Sequence, residues 1–204
     1  MITELYNLDS NIHNKNKITL ISGEFYTYKT MLSLHLYKEL IKADKKVLFI
    51  SQYRTNLIAK KIAKLKLQNE VIDIQKAKEI FNNGNGHLLQ IIGVTKDKLI
   101  EKLNKELKFN YDLIIIDFES ISISDNFNMD DLIDINNSVK TPILFVQCNV
   151  TYDKYDNINL ITLNKINKQY FKVYYNGDLI SILNVGESAL EPTFINNDLS
   201  ITFF

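Results

Sequence analysis

Apolar residues along this chain gather into short continuous runs, and the stretches between them carry apolar positions at helical spacing. Lys17–Ser22, Lys46–Ser51, Asp112–Asp117, Ile143–Gln147 and Leu160–Leu163 are runs of strand length. Runs without polar alternation are what strands covered on both faces of a parallel sheet require. Beyond Thr30, the positions Met31, Leu32, Leu34, Leu36, Leu40 and Ile41 predict a helix that ends near Ala43-Asp44. A second helix is expected from about Thr55 to Leu67. Thr95 is an N-cap candidate for a third, reaching about Lys108, with Leu99, Ile100, Leu103 and Leu107 on one stripe. Met129–Val139 predicts a fourth. Glu70–Ile74 and His87–Ile92 are short strand candidates, Gln75–Asn82 is a short helix candidate, and Asn82–Gly86 is a turn cluster. The last third changes style, since Gln169–Tyr175 and Leu179–Leu183, joined through Asn176-Gly177-Asp178, read as a hairpin. The tail Thr193–Phe204 reads as docking on its own sheet, with a strand offered to a partner as the alternative.

The chemistry concentrates where the first run ends. Ile18–Thr30 reads Ile-Thr-Leu-Ile-Ser-Gly-Glu-Phe-Tyr-Thr-Tyr-Lys-Thr, which sets Gly23, Lys29 and Thr30 in three places of the phosphate loop G-x-x-x-x-G-K-[ST]. That motif needs a strand, a turn whose N–H groups wrap phosphate, a lysine for the charge and a hydroxyl for Mg²⁺. Tyr28 holds the fourth place, where a Cβ resists the positive φ and close phosphate approach that glycine permits. Asp117, at the end of the most hydrophobic strand, supplies the carboxylate that such a site sets beside the loop hydroxyl.

Composition narrows the alternatives. Lys plus Arg and Asp plus Glu number 24 each, so no global field announces nucleic acid or an anionic membrane. Any such contact must be local. The single Cys148 excludes an internal disulfide, and His13, His35 and His87 lack metal-ligand spacing. No apolar stretch approaches a membrane span and the N-terminus lacks a signal-peptide pattern, so a cytoplasmic protein is expected. With 2 Pro and 6 Gly, no linker divides the chain. One domain is expected over 1–204: a leader at 1–16, an α/β core at 17–163, and a hairpin and tail at 164–204. Arg54, Lys60, Lys61 and Lys64 form a basic stretch after the second strand, read either as a DNA or partner surface or as a solvated helix face.

The order Ile18–Thr30, Val47–Ser51, Tyr111–Asp117, Pro142–Gln147 and a terminal hairpin resembles the RecA-like ATPase core. It is most similar to the motor domain of DnaB-type replicative helicases and their phage relatives. The resemblance implies a three-layer α/β sandwich with a mainly parallel sheet, helices on both faces and a C-terminal β-hairpin. It implies that Lys29 meets the β- and γ-phosphates, that Thr30 and Asp117 are the Mg²⁺-side residues, and that Gln147 senses the γ-phosphate. It also exposes departures. Where the family places a water-activating glutamate after the second strand, this chain has Tyr53, and a phenol near its ordinary pKa of about 10 is a poor base at neutral pH. Where the family's hairpin carries a Lys and an Arg before Asn-Gly, this chain has Tyr174-Tyr175. Glu119 is the only displaced base the sequence suggests. The regions matching the family's DNA loops, about 120–128 and 149–157, carry Asp125, Asp153 and Asp156 against Lys154. Three readings follow: a non-hydrolysing assembly or regulatory subunit that binds itself, a helicase or recombinase, or DNA; an active DNA-dependent ATPase with an atypical loop; or a nucleotide sensor without turnover. ATP with Mg²⁺, or no cofactor at all, are the alternatives left open.

Overall fold

The computed structural model describes residues 18–23, 29–54, 56–58, 84–92, 95–117, 129–146, 158–165, 170–175, 178–184 and 193–195. In chain order these form β1 (Ile18–Gly23), α1 (Lys29–Lys42), β2 (Val47–Ser51), β3 (Gly86–Gln90), α2 (Lys96–Glu106) with a 3₁₀ turn at Leu107–Phe109, and β4 (Leu113–Asp117). After these come α3 (Met129–Ser138), β5 (Ile143–Val146), β6 (Ile158–Lys165), β7 (Tyr170–Tyr175), β8 (Asp178–Asn184) and β9 (Thr193–Ile195). The strands make one sheet in the order β3-β2-β4-β5-β1-β6-β7-β8-β9. From β3 to β6 every pairing is parallel, and β7, β8 and β9 add antiparallel.

Burial explains why the central strands read as unbroken apolar runs. Every residue of β1, β2, β4 and β5 is buried, because helices cover both faces. On one face Leu20, Leu48, Ile50, Ile114, Ile116 and Phe145 pack with Leu99 and Leu103 of α2 and Leu132 and Ile135 of α3. On the other, the Tyr37 ring of α1 stands edge-on to Phe49 of β2, centroids 5.6 Å apart. Burial holds the Tyr37 phenol far above the ordinary tyrosine range, so it stays neutral. Gly86 opens β3 beneath that ring, and a Cβ there would lie 2.6 Å from the Tyr37 hydroxyl and run into Ile41.

Several expected boundaries move by a residue or two. The first strand runs to Gly23 rather than Ser22, α1 opens at Lys29, and β3 is Gly86–Gln90 rather than His87–Ile92. Thr95 is the N-cap of α2 through its carbonyl, which accepts from Leu99 N–H at 3.0 Å, but its hydroxyl makes no capping bond. The helix gives way to the 3₁₀ turn after Glu106, and Asn110 closes that turn with a left-handed φ of 49°. The hairpin β7–β8 carries a register shift between Val173 and Tyr174. β9 places Thr193–Ile195 on the sheet's edge beside β8. The candidates at 70–74 and 75–82, the helix beyond 58 and the tail after 195 lie outside the described residues.

One polar side chain is out of place in this core. Thr19 is fully buried in β1, and its hydroxyl has no hydrogen-bond partner among the described residues. A buried hydroxyl left unsatisfied costs about 1–3 kcal/mol. Thr19→Val keeps the shape and removes the cost, so it is expected to raise stability by about 1 kcal/mol. Urea unfolding checks this: a higher midpoint at unchanged slope agrees, a lower midpoint does not.

Candidate functional site

The site is assembled at the C-terminal ends of the parallel strands, where open α/β sheets bind ligands. β1 ends in Gly23, whose φ of 155° is positive, a region glycine enters without steric cost. α1 begins with two of the side chains singled out from the sequence, Lys29 and Thr30. The Lys29 ammonium is fully buried and donates to the Gly23 carbonyl at 3.1 Å, so the lysine reaches back to the end of β1. The Thr30 hydroxyl, also buried, donates to Asp117 Oδ2 at 3.0 Å across 87 positions of sequence. Ser33 secures the turn by donating to the Thr30 carbonyl at 2.9 Å. No acidic residue stands in the first turn of α1, so nothing on that turn opposes an anion drawn to the helix's positive end.

Strand periodicity explains why Asp117 meets Thr30. Asp117 pairs in register with Ser51, and Ile115 with Phe49, the residue that touches α1. Residues two apart on a strand share a face, so Asp117 lies on the α1 face. The carboxylate is fully buried at the strand's last position. Thr30 and Asp117 thus present two hard oxygens side by side, a donor set that suits Mg²⁺, which takes one or two protein oxygens and leaves the rest to phosphate and water. No group of three or more His, Cys, Asp or Glu among the described residues could hold a metal by itself.

The row continues outward. Gln90 of β3 pairs with Ser51, which pairs with Asp117. Gln90 donates through Nε2 to the Gln52 carbonyl at 3.0 Å, and Tyr53 N–H donates to the Ser51 hydroxyl at 3.2 Å. These two bonds hold the chain after β2 down over the strand ends. Tyr53 is half-buried there and Arg54 is exposed. The Arg54 carbonyl accepts from Leu57 N–H at 2.8 Å and Ile58 N–H at 3.2 Å, starting the next helix.

Of the residues expected from sequence, the structure brings together Gly23, Lys29, Thr30 and Asp117, with Tyr53 and Arg54 two and three residues beyond the Ser51 that pairs with Asp117. Tyr28, Glu119, Gln147, Lys60, Lys61 and Lys64 lie outside the described residues. Sequence reasoning passed over Ser51, Gln52 and Gln90. Ser51 left one signal, a hydroxyl closing an otherwise apolar run.

A parallel sheet extended by an antiparallel hairpin, with the loop lysine, its threonine and a strand-end aspartate meeting over it, defines a RecA-like α/β domain. Within that class the fold is similar to that of DnaB-like helicase ATPase domains. The chain is similar to a solved ATPase domain, with a TM-score of 0.67 at 11% identity over 96% of this chain and 89% of that one. It is also similar to a DnaB-like replicative helicase solved in a study of its interactions with primase, with a TM-score of 0.63 at 10% identity over 88% of this chain and 57% of that one. At these identities the likeness is one of fold. No protein-family model matches the sequence, and no curated protein matches it. Among the described residues, no helix is long and apolar enough to cross a membrane.

Proposed function

We propose that this chain is a DnaB-like domain that holds Mg·ATP without hydrolysing it and serves DNA replication or recombination as an assembly or regulatory subunit. One observation carries the reading. Two residues past Ser51, the register partner of Asp117, stands Tyr53, a group that cannot take a proton from water at neutral pH. The binding half of the site, Lys29, Thr30 and Asp117, keeps its mutual geometry. When bound, Mg²⁺ neutralises phosphate charge beside Thr30 and Asp117. Lys29 binds the phosphates once its ammonium leaves the Gly23 carbonyl. With no carboxylate at position 53, the attacking water has no base on that side. We further propose that the whole chain is one domain, and that its partner is another copy of itself or a helicase-type protein.

The same intact binding half favours a second reading, a working ATPase with an atypical loop. Thermal unfolding with and without millimolar Mg·ATP, together with nucleotide recovery, separates the two. The proposal expects stabilisation of about 2.7 kcal/mol at 100 times the Kd and intact ATP afterwards. Stabilisation accompanied by stoichiometric excess of ADP would favour the ATPase. No stabilisation would remove both.

A further inference from the structure

We propose that Arg54 is a phosphate-binding residue, a guanidinium that this chain supplies in cis for the terminal phosphate of a bound nucleoside triphosphate. The inference rests on the nucleotide-site reading above and adds a cation to it. Sequence grouped Arg54 with Lys60, Lys61 and Lys64 on a basic helix. The fold sets it at the very start of the helix after β2, three residues past the strand end at Ser51.

Three observations support the assignment. Arg54 follows Ser51 by three residues, a span of at most about 10 Å, and Ser51 is the register partner of Asp117, which bonds the loop threonine. The intervening chain is held over the strand ends by Gln90 Nε2 on the Gln52 carbonyl and by Tyr53 N–H on the Ser51 hydroxyl, so Arg54 leaves from a fixed point. Its side chain is exposed, and among the described residues no carboxylate forms an ion pair with it. By contrast Lys96 is held by Asp131 at 3.1 Å and Asp134 at 2.8 Å, and Lys105 by Glu101 at 2.6 Å. A permanently charged fork at the mouth of a phosphate site suits bidentate contact with a phosphoryl group. The neighbour of Tyr53 thus brings positive charge to a rim from which the resemblance leads one to expect a glutamate.

The test measures Mg·ATP and Mg·ADP affinity by isothermal titration for the wild type, Arg54→Gln and Arg54→Lys. Arg54→Gln is expected to weaken Mg·ATP about 10-fold and Mg·ADP less than about 2-fold, because ADP lacks the terminal phosphate and one good charged contact is worth about that much. Arg54→Lys should recover part of the loss, and the melting temperature without nucleotide should not move. Wild-type binding of Mg·ATP that Arg54→Gln leaves unchanged, or an equal loss for ATP and ADP, overturns the role of Arg54 alone. A wild type that binds neither nucleotide overturns the nucleotide site and the role of Arg54 with it.

Discussion

Lys29→Ala is expected to weaken Mg·ATP binding about 100-fold. Hydrogen bonds to charged groups contribute about 1.5–3 kcal/mol each, and tenfold in affinity is about 1.4 kcal/mol. A buried ammonium exchanging a carbonyl for a phosphate lies at the upper end of that range. In the folded chain Lys29 Nζ already donates to the Gly23 carbonyl at 3.1 Å. Binding therefore trades a neutral acceptor for an ionised one, which is the stronger partner. The alanine variant should still fold, since a solvent-free ammonium is costly to bury and its removal relieves that cost even as packing is lost. Titration calorimetry on a variant with a wild-type circular dichroism spectrum reads the effect. Affinity within about 2-fold of the wild type would mean that the loop does not hold phosphate.

Gly86→Ala is expected to lower stability by about 2–3 kcal/mol through overpacking. The new Cβ would fall 2.6 Å from the Tyr37 hydroxyl and run into Ile41 Cδ1. Side-chain ends can usually swing away, but these two cannot move freely. Tyr37 is fully buried with its ring edge-on to Phe49, and Ile41 is 5% exposed. Relief requires α1 to lift from β2 and β3. For a chain of this length the melting temperature should fall by about 5–10 °C. An unchanged melting temperature would show that the α1 face is looser than this packing implies. Because α1 carries Lys29 and Thr30 at its first two positions, the same variant tests whether the helix seat sets the site. Nucleotide affinity should fall along with stability.

Much of this was legible in the sequence. Continuous apolar runs marked β1, β2, β4 and β5 because those strands are buried on both faces, and a buried strand tolerates no alternation. Gly23, Lys29, Thr30 and Asp117 could be singled out because the phosphate-loop motif restricts residue type at each place, and the structure joins Lys29 to Gly23 and Thr30 to Asp117. The rim was harder to see. Ser51, Gln90 and the position of Arg54 depend on which strands are neighbours, and the order β3-β2-β4 is not written in any local pattern. Arg54 looked like one more basic helix residue until the pairing of Ser51 with Asp117 put it three residues past a strand end that neighbours that carboxylate. β9 hid for a different reason, since Thr193–Ile195 is only three residues long and its pairing with β8 is a tertiary fact. Thr95 shows the converse, a residue type that suits an N-cap where the backbone alone does the capping.

The central claim is that this domain kept the groups that hold a triphosphate and lost those that cleave it. Phosphate release from Mg·ATP, measured with and without single-stranded DNA for the wild type beside Lys29→Ala, tests it most directly. The account expects the two proteins to release phosphate at the same background rate while the wild type binds ATP about 100-fold more tightly. Wild-type turnover that rises with DNA and vanishes in Lys29→Ala would contradict it.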